Sequence, residues 1–151
     1  MHSKVMRIRL PAKTRTGVLA LALPLLAAAS SGPSWAGSAG GQALQIKVKD
    51  FAIKAPQQLR AGTVVLHVSN AGPDTHELIL VRADGRPLPL RNDNLTVDED
   101  AVKARTAGTV DKDQPGTKRV LKVTLRPGSY VLLCNMSGHY LGGMHTRLVV
   151  R

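Results

Sequence analysis

The sequence predicts an all-β domain, an antiparallel Greek-key β-sandwich, and three observations carry that expectation. Short runs alternate apolar with polar residues, turn residues separate those runs, and no internal repeat is present. Aromatic residues are too scarce to fill a core, so Val, Leu and Ile must do so, and those side chains suit strands.

The chain of 151 residues has room for one domain. Residues 1–17 carry Lys4, Arg7, Arg9, Lys13 and Arg15 with no acid, and residues 18–29 are apolar apart from Pro24. Ser34-Trp35-Ala36 then places small residues where a signal peptidase reads, so residues 1–36 are expected to be a cleavable secretory signal. The apolar run is about 12 residues, short of the roughly 20 that span a bilayer. Export to a bacterial periplasm is the expectation; an uncleaved segment would instead tether the chain to the membrane, and no stable membrane insertion of the mature chain is expected. Residues 37–42, rich in Gly, form a flexible leader, and residues 43–151 form the domain.

Leu44, Ile46 and Val48 point one way along the first strand while Gln45, Lys47 and Lys49 point the other. Asp50 interrupts, and Phe51 and Ile53 resume on opposite parity, which predicts a bulge. A turn at residues 59–62 leads into a strand with Val64, Leu66 and Val68 on one face and His67 on the other. Residues 70–74 are turn chemistry, and the next strand puts His76, Leu78 and Leu80 on its buried face with Glu77 outward.

Residues 82–117 are polar and read as a connection or lid, with Thr96-Val97-Asp98-Glu99 in the form of a capping box that opens a short helix stopped at Gly108. Lys118–Leu125 returns to strand with Leu121, Val123 and Leu125 inward. After the turn at residues 126–129, Tyr130, Leu132 and Cys134 share a face, and the last strand sets Met144 in step with Leu148 and Val150 while His145 turns outward.

Charge and cysteine usage narrow the function. Without the signal the chain holds 16 basic residues against 10 acidic, a net charge of +6, which favours anionic partners. Nucleic acid is not an expected partner, because export and the lack of interleaved aromatics both argue against it. Cys134 is the single cysteine and can form no internal disulfide in an oxidising compartment. Taken alone it reads as a small core residue, and His76 alone reads as a core histidine held by a backbone carbonyl.

Their company changes both readings. Cys134 is followed by His139 five positions on and Met144 five beyond that, in Cys-x4-His-x4-Met spacing. Thiolate, imidazole and thioether are the soft set that suits copper, and a His2Cys plane with a weak axial Met is an electron-transfer copper arrangement. His76 supplies the second imidazole if the fold carries it there. Asn135 and Ser137 are candidates for hydrogen bonds to the sulfur. Met136, Tyr140 and Leu141 are expected to form an apolar rim around His139.

From Leu44 to Val150 the chain resembles the cupredoxins, the small blue copper proteins, most specifically over residues 68–77 and 127–144. Loop spacing is most similar to the rusticyanin and sulfocyanin branch. The resemblance implies one type 1 copper ion, cycling between Cu(I) and Cu(II), bound by His76, Cys134, His139 and Met144. Many members have Asn after the first histidine where this chain has Glu77, so the bond tying the ligand loops is expected from elsewhere, with Asn70 the candidate. A one-electron shuttle is the expected function, with a copper carrier or storage protein as the alternative, which would show more surface Met and His. The expected partner is an acidic redox protein such as a c-type cytochrome or a terminal oxidase, met by a monomer. No enzyme is expected, since about 115 residues with one cysteine leave no room for further copper centres.

Overall fold

A computed structural model describes residues 41–151. The expected signal, 1–36, and the leader to residue 40 lie outside the described residues. Strand β1 (Gln42–Lys49) begins inside the expected leader and buries Ile46 and Val48 while Gln45, Lys47 and Lys49 face out. Strands β2 (Ala52–Lys54), β4 (Gly62–Asn70) and β7 (Lys118–Leu125) join it in a sheet of order β2-β1-β4-β7. Strands β3 (Gln58–Leu59), β5 (His76–Arg82), β6 (Thr106–Asp113), β8 (Gly128–Leu133) and β9 (His145–Val150) form the second sheet, in order β3-β9-β8-β5-β6. Between the sheets lies an aliphatic core that includes Ile46, Leu66, Leu80, Leu132 and Leu148.

The expected sandwich is present, and two of its pairings are parallel, β1 with β4 and β3 with β9. Parallel neighbours need a crossover. Here β2 folds back on β1 and β3 crosses to the other sheet before β4 returns, so the short chain between β1 and β4 serves both sheets.

Three local expectations change. The interruption at Asp50 is a turn rather than a bulge: Lys49 pairs with Ala52 across the two-residue connection Asp50-Phe51, and Phe51 has a left-handed φ of 55°. The short helix is α1 (Glu99–Val102), capped by Asp98 accepting from the Ala101 N–H rather than by Thr96, and it runs into a 3-10 turn over Lys103–Arg105. Gly108 does not stop it, because Gly108 lies in β6, a strand the sequence reading placed in the irregular connection. As an edge strand pairing only with β5, β6 needs little apolar content, and only Val110 and Asp113 within it are buried. Gly108 has a packing reason instead, since a Cβ there would come 2.7 Å from a Val123 methyl.

The connection does behave as a cover. Leu88, Val97 and Val102 pack with Ile79, Val81 and Leu133 on the outer face of the second sheet. Strand β5 is therefore buried on both faces beyond Glu77, which explains its run of apolar residues. No helix among the described residues is long and apolar enough to cross a membrane.

Truncation separates the cover from the open sheet face. Val97→Ala, at 1% exposure, is expected to cost on the order of 2 kcal/mol in urea unfolding, and Val120→Ala, at 66% exposure, less than about 0.5 kcal/mol. Equal losses would mean that the 83–102 segment is not docked.

Candidate metal centre

Cys134 follows β8 directly and keeps the inward parity of Tyr130 and Leu132, with no exposed surface. His76 opens the neighbouring strand β5 and is 1% exposed. Its Nδ1 faces the Cys134 Sγ at 3.8 Å, and the His139 Nδ1 lies 3.5 Å from the same sulfur. The three donor atoms fall within 4.8 Å of one another, and the two imidazole rings are 5.2 Å apart at their centroids.

Met144 joins them through the backbone. The Met144 N–H donates to the His139 carbonyl at 2.9 Å, and the Cys134 N–H donates to the Met144 carbonyl at 3.1 Å. These bonds fold the loop on itself and bury the Met144 side chain completely. His145 is exposed, packs its ring at a tilt against Tyr140 with centroids 4.9 Å apart and stands outside the group, as its parity predicts.

The donors to the sulfur are not the side chains expected. Asn135 turns away to accept from the Val97 N–H at 2.6 Å and to donate to the Val97 carbonyl and the Glu99 carboxylate, and Ser137 is exposed. The backbone N–H groups of Glu77 and Met136 face the sulfur instead. Burial pushes the Cys134 thiol up, and those two N–H bonds pull against it.

Asn70 does not tie the ligand loops together. Its amide donates to the Asp74 and Asp113 carbonyls and its oxygen accepts from the Gly72 N–H, which fixes its own turn and joins that turn to β6. The tie is Glu77, whose carboxylate accepts from the Asn135 backbone N–H. Burial, then the nearby Glu99, push the Glu77 carboxyl above the usual range. A residue read as an outward departure from the familiar pattern does the joining because the cover half-buries it.

Two neighbours had no signal beyond an interrupted strand. The Asp50 carboxylate meets the His76 Nε2 at 2.9 Å, and the Phe51 ring lies 5.3 Å from the His139 ring. Phe51 also changes the expected rim. Phe51, against the His139 ring, is 53% exposed and Leu141 is 52% exposed, while Met136 packs against the main core and Tyr140 against the cover.

The donor set fits a first-row metal ion. Bonds of roughly 2.0–2.3 Å to nitrogen and sulfur put three donors of a trigonal plane about 3.6 Å apart, close to the two sulfur–nitrogen separations. A thioether on the same loop adds a further soft donor.

No protein-family profile matches the chain, and no curated protein sequence does. Solved structures do match. A dithionite-reduced auracyanin from Roseiflexus castenholzii is similar at a TM-score of 0.55 and 19% identity, over 74% of this chain and 99% of that one. Auracyanin A from Chloroflexus aurantiacus, described as a blue copper protein, matches at 0.55 and 21%, over 74% of this chain and 100% of that one. The fold is the cupredoxin sandwich. An azurin from Methylomonas sp. strain J shares the cupredoxin fold at a TM-score of 0.52 and 15% identity, over 74% of this chain and 99% of that one. The rusticyanin and sulfocyanin likeness rests on ligand-loop spacing alone.

Asn135→Ala would strand the Val97 N–H and carbonyl beneath the cover and is expected to cost on the order of 2–3 kcal/mol in urea unfolding. Asp93 gives a pH test. The Leu95 N–H holds its carboxyl below the usual range, against some desolvation, and the Leu95 carbonyl in turn accepts from the Gly138 N–H of the ligand loop. A lowered folded-state pKa contributes stability above the ordinary Asp range and loses it as pH falls through the folded value. Thermal unfolding should therefore show Asp93→Asn less stable than the parent at neutral pH and indistinguishable from it in strong acid.

Proposed function

We propose that this protein is a periplasmic one-electron carrier built around a single type 1 copper, with His76, Cys134 and His139 as the strong ligands and Met144 as the weak axial one. The observation that carries this reading is the convergence of a thiol and two imidazole nitrogens within 4.8 Å, from positions far apart in the chain. Copper, when bound, supplies a one-electron couple; the chain supplies the rest. Burial favours the protonated Cys134 thiol, and a cation held beside the sulfur would reverse that preference and keep it as the thiolate. Backbone bonds hold the ligand loop in place, so little rearranges when the charge changes.

The electron leaves by the His139 edge. Phe51 lies against the His139 ring, and Leu141, Gly142 and Gly143, which follow it in the chain, are exposed, a small apolar contact suited to a brief encounter. The exposed Lys47, Lys49, Lys54, Lys118 and Lys122 on the outer face of the first sheet support steering by an acidic redox partner, such as a c-type cytochrome or an oxidase domain. The protein acts as a monomer after removal of residues 1–36, and its ligand loop follows the rusticyanin and sulfocyanin spacing.

Titration with Cu(II) should give one copper per chain and an intense thiolate charge-transfer band in the visible, absent in Cys134→Ser. A colourless complex or two coppers would overturn the assignment, and rapid surrender of copper to a chelator would point to a carrier instead. Met144→Leu should keep metal and colour while raising the potential, whereas His76→Ala should weaken copper binding or admit water. By stopped flow, Leu141→Lys should slow electron exchange with the partner and leave the spectrum unchanged, and added salt should slow the parent. An unaltered rate would place the exit on another face.

A further inference from the structure

We infer that the Asp50-Phe51 turn clamps both imidazoles of the site, and that Asp50 is the positioning residue that sets the tautomer and donor strength of His76 and so lowers the reduction potential. The potential arm rests on the copper reading above; the tautomer arm does not. His76 presents Nδ1 to the Cys134 sulfur at 3.8 Å and Nε2 to the Asp50 carboxylate at 2.9 Å. A neutral imidazole carries one ring proton, and an ionised carboxylate only accepts. The proton therefore sits on Nε2, and the Nδ1 lone pair faces the donor cluster.

Three features build this contact. The Ala71 N–H donates to the Val48 carbonyl at 2.8 Å, which draws the 70–74 turn against the end of β1. Gly72 is buried between the partners: a Cβ there would stand 2.9 Å from the His76 Nε2 and closer still to the Asp50 carboxylate. Phe51 accepts a left-handed φ of 55°, a conformation that bulky L-residues rarely adopt. Its ring lies beside His139 and against Gly142, where a Cβ would overlap it. One strained turn thus touches the outer side of both histidines.

The charge matters beyond orientation. A carboxylate behind a ligating imidazole raises its basicity, and loss of such a partner typically weakens metal binding about 10–100-fold. Cu(II) carries more charge than Cu(I) and gains more from the stronger donor, so Asp50 favours the oxidised form. A backbone carbonyl in the same place would orient the ring without that bias.

The test uses the full chain and two variants of a residue whose side chain is 26% exposed, so folding is expected to survive. Asp50→Asn keeps an oxygen acceptor and removes the charge; Asp50→Ala removes both. With copper bound, Asp50→Asn should retain the intense visible band while Cu(II) affinity falls about tenfold relative to Cu(I), a rise of about 59 mV for one electron. Gly72→Ala, which displaces Asp50 without altering it, should shift the potential the same way. An unchanged potential in Asp50→Asn would overturn the charge role. Without metal, nitrogen-15 NMR of the imidazoles at neutral pH should show His76 protonated at Nε2 in the parent and a mixture of tautomers in Asp50→Ala. Protonation at Nδ1 in the parent would overturn the positioning role. A parent that forms no blue complex would end the copper reading, and the NMR result would still decide what Asp50 does.

Discussion

The site depends on a loop that is bonded to itself. The Met144 N–H to His139 carbonyl bond and the Cys134 N–H to Met144 carbonyl bond close the span from Cys134 to Met144, so Cys134, His139 and Met144 move as one piece. That rigidity fixes the spacing of the candidate donors whether or not an ion lies between them. Closing the loop on itself also buries its backbone polar groups with their partners already in place. His76 then needs only the adjacency of β5 and β8 to reach the same point.

Behind that loop lies support that comes from the connection between β5 and β6. Asn135 is bonded at both ends to Val97 and also to Glu99, and the Gly138 N–H reaches the Leu95 carbonyl. The connection is thus both the cover of the second sheet and a backing for the loop that carries Cys134, His139 and Met144. Glu77 sits where these meet, its carboxylate on the Asn135 N–H and its own N–H on the cysteine sulfur. One residue beside a histidine therefore links the two segments that carry the candidate donors, by side chain and by backbone at once.

The two imidazoles are treated differently. His76 is sealed, with its outer nitrogen on Asp50, whereas His139 is partly exposed and edged by Phe51. One histidine is therefore anchored while the other keeps an open edge. The turn that anchors the first supplies the apolar edge of the second, which ties the two properties to a single short stretch of chain.

The sequence alone determined the sandwich and the four candidate donors. Strand alternation is a local signal of period two, and Ile46, Leu66, Leu78, Leu132 and Leu148 all bury as their parity requires. Cys134, His139 and Met144 lie close enough in sequence to announce one chemistry, and that chemistry asks for a second histidine. What only the tertiary structure decided is everything that surrounds them. Strand β6 has almost no apolar pattern because it is an edge, so nothing in its own residues marks it. Asp50 and Phe51 look like an interruption until β1 and the 70–74 turn are brought together, and Glu77 looks outward until the cover closes over it. Such contacts join residues tens of positions apart by single hydrogen bonds and ring edges, and those leave no periodicity in a chain for a local reading to find.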